Sequence, residues 1–195
     1  MPSGDKTLVL IDGNALVHRS FHALPPLTTK KGEMVKAVFG FASILLKVLA
    51  DVKPEYIAVT FDKDKKTFRH EKFVEYKAKR VKAPQELYDQ IPLIKQLVAA
   101  FDIPQFEMAG FEADDLIGTI ARVNPYSTMV VSGDLDVLQL IDAKTRLLTP
   151  KQGIKETMIY DAAAVRERFG LDPRQMIDYK GLRGDVSDNI PGVKG

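Results

Sequence analysis

Acidic residues stand where strands should end. Asp12 closes Thr7-Leu8-Val9-Leu10-Ile11, Asp62 closes Tyr56-Ile57-Ala58-Val59-Thr60-Phe61, and Asp134 and Asp136 follow Met129-Val130-Val131-Ser132-Gly133. Glu112, Asp114 and Asp115 share the run Glu-Ala-Asp-Asp, and Asp185 and Asp188 share Gly-Asp-Val-Ser-Asp-Asn. In a parallel α/β sheet the strand C-termini form one edge, and ligand sites form there. Carboxylates from distant parts of the chain would then converge. Two of them about 4 Å apart repel by roughly 4 kcal/mol at an effective dielectric of 20, so a larger cluster calls for a cation. Hard oxygen donors with only three His and no Cys suit Mg²⁺ or Mn²⁺ rather than Zn²⁺.

Each acidic group also has a plainer reading. Asp12 could be a helix N-cap, with Asp12-Gly13-Asn14 a tight turn that lets a ligand approach the backbone. The Glu112–Asp115 run could be a well-charged first helical turn. Glu112 and Asp115 share a face and Asp114 does not, so all three serve one site only at the helix tip. Gly133-Asp134-Leu135-Asp136 holds one more acid than a capping turn needs. Gly184-Asp185-Val186-Ser187-Asp188-Asn189 could be a surface turn. His18, His22 and His70 have no metal-ligand spacing.

The positive charge is gathered in one place. From Lys63 to Lys82 nine Lys or Arg face three acids, a net of +6, while the whole chain carries +2. A basic band beside an acidic body suits a polyanion held next to a metal; the alternative is a solvated surface helix. Lys77 and Arg80, three apart, could hold a phosphate on one helical face. Tyr76 could stack on a terminal base or pack in the core.

Alternating patterns must position these groups. Helices are expected at Ala15–Leu24, Val35–Val52, Pro84–Phe101, Glu112–Val123, Leu135–Ile141, Asp161–Phe169 and Pro173–Leu182. Beyond the strands named above, others are expected at Gln105–Met108 and Arg146–Thr149. The β–α alternation argues for a three-layer α/β/α fold with a mainly parallel sheet. With 195 residues and 45% apolar content the chain can fill one full core. The absence of cysteine excludes disulfides and thiolate metal sites and fits a reducing cytosol. No signal-peptide pattern is visible, and no apolar stretch is long enough to span a bilayer.

Taken together, these residues resemble the 5′-nuclease family, which includes 5′–3′ exonucleases, flap endonucleases and the nuclease domain at the N-terminus of bacterial DNA polymerase I. The resemblance rests on Leu10-Ile11-Asp12-Gly13, His18-Arg19-Ser20-Phe21-His22-Ala23-Leu24, Phe61-Asp62 and Phe68-Arg69-His70-Glu71. It extends through Tyr76-Lys77 with Arg80, Gly110-Phe111-Glu112-Ala113-Asp114-Asp115, Ser132-Gly133-Asp134 with Asp136, and Gly184-Asp185 through Gly195. It implies a PIN-like catalytic core over residues 1–160, a basic helical arch at 63–82, and the start of a helical DNA-binding subdomain at 161–195.

By resemblance, Asp12, Asp62, Glu112, Asp114, Asp115, Asp134, Asp136, Asp185 and Asp188 hold or surround two Mg²⁺ ions, with Mn²⁺ as a substitute. Arg19, Lys77 and Arg80 contact the scissile phosphate. Tyr76, Arg69, Lys79, Lys82 and Lys194 bind substrate. The expected reaction is two-metal phosphodiester hydrolysis at DNA 5′ ends or flaps, in replication and repair, in the cytoplasm. Leu135 stands where the family often has lysine, but the flanking acids remain. Ile190–Gly195 resembles the opening of a helix–hairpin–helix element with its monovalent cation site, incomplete in this sequence. The expectation is a fragment, a truncated reading frame or a minimal relative, with polymerase domains linked in a longer parent. A weakly catalytic DNA-binding module and a PIN-like ribonuclease are the competing readings.

Overall fold

The computed structural model describes residues 6–64, 66–151 and 156–193. A six-stranded sheet has strands β1 (Thr7–Asp12), β2 (Tyr56–Thr60), β3 (Gln105–Phe106), β4 (Ser127–Val131), β5 (Thr145–Pro150) and β6 (Thr157–Tyr160). Their order is β3-β2-β1-β4-β5-β6, with β6 alone antiparallel. The helices are α1 (Gly13–Ala23), α2 (Lys36–Val52), α3 (Phe68–Lys72), α4 (Gln85–Tyr88), α5 (Ile91–Ala100), α6 (Ala113–Val123), α7 (Ala162–Phe169) and α8 (Met176–Arg183). Two 3-10 turns add Leu135–Leu140 and Pro173–Gln175.

The three layers follow from the period of two along β1. Val9 and Ile11 face a core with Leu16, Phe41, Ile44 and Val98 from α1, α2 and α5. Leu8 and Leu10 face the other core, with Ile117, Val165 and Met176 from α6, α7 and α8. A central parallel strand buried on both faces reads as a continuous apolar run, as Leu8–Ile11 does. Since β2 and β4 flank β1 in parallel register, with Asp12 opposite Thr60 and Ile11 opposite Val131, the residues following all three strands meet at one edge. The chain reverses direction across the sheet between β1 and β4, where ligand crevices form in open α/β sheets.

Four expectations change. The Pro84–Phe101 helix is two helices. Pro92 lacks an N–H and crowds the carbonyl four residues back, and it sits in the first turn of α5. The break frees Gln90, 1% exposed, to accept the Ala37 N–H at 2.8 Å at the start of α2. Arg146–Thr149 is not the last strand, because Thr157–Tyr160 pairs back on β5. The basic band is not a continuous helix: among its described residues only Phe68–Lys72 is helical, and turns cover residues 74–79. Lys77 has φ +55, so the shared helical face proposed for Lys77 and Arg80 does not exist.

Candidate metal centre

Asp12 ends β1 and caps α1, so its carboxylate is fixed from both sides. Its Oδ1 accepts the Ala15 N–H at 2.9 Å and its Oδ2 accepts the Ser132 hydroxyl at 2.9 Å. Burial pushes its pKa up to about 7, against those hydrogen bonds and helped by Asp62 and Asp134. Gly13 permits the approach, since a Cβ there would meet the Phe61 ring at 2.4 Å and the Thr60 carbonyl at 2.7 Å. Asp62 accepts the Ala113 N–H at 2.7 Å, which ties the end of β2 to the tip of α6. Asp134 accepts the Asp136 N–H at 2.9 Å. Burial raises the pKa of Asp62 and of Asp134.

The α6 tip gathers its acids around two cations. Arg69 grips Asp115 in a fork at 2.7 and 2.8 Å, with Glu112 at 3.7 Å and Asp114 at 4.0 Å. Burial lifts Asp115, but the Arg69 fork, the Glu112 N–H and the Lys77 charge together outweigh it and hold the carboxyl below its ordinary value. Lys77 places Nζ 3.0 Å from both oxygens of Glu112 and 3.9 Å from Asp188. The Asp114 side chain is 45% exposed, yet its Oδ1 is sealed from solvent with no hydrogen-bond partner among the described residues. Burial pushes its pKa up to about 6, with Arg69 opposing.

Lys180 supplies a third internal cation. Its Nζ lies 2.6 Å from Asp136 and 2.9 Å from Asp185. Asp185 is turned toward it because its other oxygen accepts from the Ser187 amide and hydroxyl at 2.8 and 2.6 Å. Desolvation opposes ionisation of Asp185, but Ser187 and Lys180 more than offset it and depress the pKa well below the usual carboxylate range.

A cavity of about 490 Å³ opens between these elements, lined by Asp12, Asp62, Glu112, Asp114, Asp134 and Asp136 together with Arg19, Lys77 and Arg80. Asp115, Asp185 and Asp188 are not among its walls; they meet Arg69, Lys180 and Lys77. No three acids or histidines among the described residues converge into a ready-made metal site. Lysine and arginine head groups stand between them. The donor set still fits a hard divalent cation: all the walls' acids offer oxygen, Asp12 is disfavoured as a lone anion, and one oxygen of Asp114 is orphaned. Sealed polar atoms without partners are rare and call for a missing partner.

Of the residues expected to meet substrate, some are held by the protein's own groups and others are exposed. Tyr76 is 5% exposed, so its ring is packed in the protein rather than offered to a base. Its hydroxyl lies 3.1 Å from Glu112 and 3.0 Å from Asp188, where it can donate to one at a time. Arg69 is engaged by acids rather than free for substrate. Arg19 donates to the carbonyls of Pro150 and Lys151. Lys79, Arg80 and Lys82 are exposed, and Lys194 lies outside the described residues. His18 and His22, which had no assigned chemistry, line the cavity; burial, Arg80 and His22 keep His18 below its ordinary pKa. Lys180 was not foreseen. Its signal was available, since a lysine five residues before Asp185 on a helix ending at Gly184 must lie near that turn.

The family described as 5′–3′ exonuclease, N-terminal resolvase-like domain, matches residues 7–170. The DNA polymerase I of Bacillus subtilis (strain 168) is 48% identical over 193 residues, covering 97% of this chain and 22% of the relative. That of Mycobacterium tuberculosis (strain ATCC 25618 / H37Rv) is 43% identical over 202 residues, covering 100% of this chain and 22% of the relative. The chain thus spans about 22% of the length of these relatives. Among solved structures, T5 5′-exonuclease with bound zinc superposes with a TM-score of 0.76 at 25% identity, covering 97% of this chain and 71% of that one. The catalytic core of Rad2 in complex with DNA substrate superposes with a TM-score of 0.60 at 19% identity, covering 98% and 58%, and bears on the fold alone.

Proposed function

The chain belongs to the 5′–3′ exonuclease family, and we propose that it hydrolyses DNA phosphodiesters at 5′ ends or flaps with the help of two Mg²⁺ ions, for which Mn²⁺ can substitute. The observation that carries this reading is one cavity lined by six carboxylates from the ends of β1 and β2, the start of α6 and the turn after β4, together with Arg19, Lys77 and Arg80. Asp12, Asp62, Glu112, Asp114, Asp134 and Asp136 would hold the metal, Asp185 would share an ion with Asp136, and Asp115 and Asp188 would support them. When bound, the ions supply a water acidified at neutral pH and positive charge against the developing phosphorane oxygens.

The chain's own groups would do the rest. Arg80, exposed where it lines the cavity, draws a phosphate toward the acids. Lys77, shared between Glu112 and Asp188, lies where positive charge would stabilise the transition state. Lys79 and Lys82 add exposed charge along the approach, giving binding a steep salt dependence. Lys194 would bind substrate by family resemblance alone. The relatives' length supports a parent with linked polymerase domains, acting in replication and repair in the cytoplasm. The segment Ile190–Gly195 fits the first part of a duplex-gripping element with a monovalent cation. No helix among the described residues is long and apolar enough to cross a membrane.

The test is cleavage of a 5′-flap DNA with Mg²⁺ against an EDTA control, for the wild type, Asp12→Asn and Asp134→Asn. Both variants should lose cleavage while keeping most DNA binding. Full activity in either overturns the metal assignment. Binding without turnover in the wild type would favour a DNA-binding module, and preferential cleavage of single-stranded RNA would favour a ribonuclease.

A further inference from the structure

Lys180 occupies a place that a metal ion would need. Its Nζ bridges Asp136 Oδ1 at 2.6 Å and Asp185 Oδ2 at 2.9 Å. A Mg²⁺ ion binds oxygen at about 2.0–2.1 Å, so an ion shared by these carboxylates and the ammonium cannot occupy the same space.

Asp185 does not need Lys180 to hold it. Its Oδ1 accepts from Ser187 N and Oγ at 2.8 and 2.6 Å and from Asp188 N at 3.2 Å, and its backbone pairs with Ile190 in both directions at 2.8 Å. Asp136 has no other ion pair among the described residues. The lysine is thus the removable member of the trio: a flexible four-carbon stem on α8, one-third exposed, opposite two acids placed by backbone.

We propose that Lys180 is a tethered competitor for the cation position between Asp136 and Asp185, so that metal enters this part of the centre only by displacing it. The proposal rests on the metal reading above. It makes Lys180 a positioning residue that weakens metal binding in the absence of substrate. The expected size follows from occupancy: a lysine that fills the position nine-tenths of the time reduces the apparent affinity about tenfold.

The sign separates this from a structural role. Titration of the 195-residue chain with Mn²⁺ alone, without DNA, reads free Mn²⁺ by electron paramagnetic resonance. Lys180→Gln should bind its weakest ion about tenfold more tightly than the wild type, and Lys180→Met, which also removes the polar head, should do the same. Arg183→Gln, on the same helix and bonded to the Tyr179 hydroxyl at 2.8 Å, removes one positive charge outside the site and should bind as the wild type does. Unchanged or weaker binding in both Lys180 variants overturns the proposal, as does an equal gain in Arg183→Gln, which would mean bulk electrostatics. If neither wild type nor variant binds Mn²⁺, the metal reading itself falls and this inference with it.

Discussion

Lys77 is joined to Asp188 twice: its amide donates to the Asp188 carbonyl at 2.9 Å, and its ammonium stands 3.9 Å from the Asp188 carboxylate. Next to this pair, the Asn189 side-chain amide donates to the Glu75 carbonyl at 2.8 Å. Both Lys77 and Asn189 are left-handed, with φ +55 and +58. The basic band and the C-terminal turn therefore form one unit, joined by one backbone hydrogen bond and by the side chains of Tyr76, Lys77 and Asn189.

Replacing Asn189 tests that unit. Asn189→Gly loses the Glu75 bond but keeps the left-handed backbone; Asn189→Ala loses both. Alanine should cost about 1 kcal/mol more than glycine. Thermal melts report the difference, and trypsin should cut the 63–82 band faster in Asn189→Ala than in Asn189→Gly.

Tyr76→Phe keeps the buried ring and removes the hydroxyl between Glu112 and Asp188. A ring that acts by stacking would leave the variant unchanged. A hydroxyl that orders the two acids predicts a loss of about 1 kcal/mol in stability and a lower kcat with little change in KM. Steady-state cleavage of a flap substrate distinguishes the two.

Asp12 sets a pH dependence. Its folded pKa of about 7 lies above the unfolded value, so its contribution is fully present below about pH 4 and is lost as pH rises through about 7. Integrated, that is at most about 4 kcal/mol. Metal-free protein should therefore lose stability toward neutral pH, and Asp12→Asn should reduce the slope to the part set by the raised values of Asp62, Asp114 and Asp134 and melt roughly 5–10 °C higher at pH 8. Asp115 and Asp185 have depressed values and act oppositely, their contribution present above about pH 4 and lost on acidification. Melts in EDTA across this range check the sign; an unchanged slope in Asp12→Asn removes Asp12 as its cause.

Gly13→Ala reverses an ordinary preference. Alanine is the better helix former by about 1 kcal/mol, yet here its Cβ would enter the Phe61 ring and the Thr60 carbonyl, both buried. Overpacking of this kind costs about 1–3 kcal/mol. The variant should melt below the wild type and cleave more slowly, since Asp12 and Asp62 flank the displaced contact. A higher melting temperature would show that the strand end yields freely.

The strand-end acids were legible because short apolar runs fix where parallel strands stop, and Asp12, Asp62 and Asp134 come next in the chain. The second layer was not. Nothing in local spacing tells Lys77 and Arg69, which turn inward to Glu112 and Asp115, from Lys79 and Lys82, which face solvent; those partners lie 35 and 46 residues away. Tyr76 presented a choice between core and base stacking that only burial resolves. Asp185 and Asp188 read as a pair at i, i+3, yet the turn sends one to Lys180 and the other to Tyr76. Pro92 was a visible stop signal inside a helical pattern, and reading it would have divided the helix correctly.

The carboxylates around the cavity come from positions 12 to 136, and their supports from as far as 188. Local structure alone builds none of it. During synthesis the β1 and β2 acids emerge early, but β4, which brings Asp134 beside Asp12, and α8, which brings Lys180 to Asp136, emerge later. A half-made or partly unfolded chain would hold scattered carboxylates without a centre. The topology thus makes the acidic centre a product of completed folding, absent from any partial state of the chain.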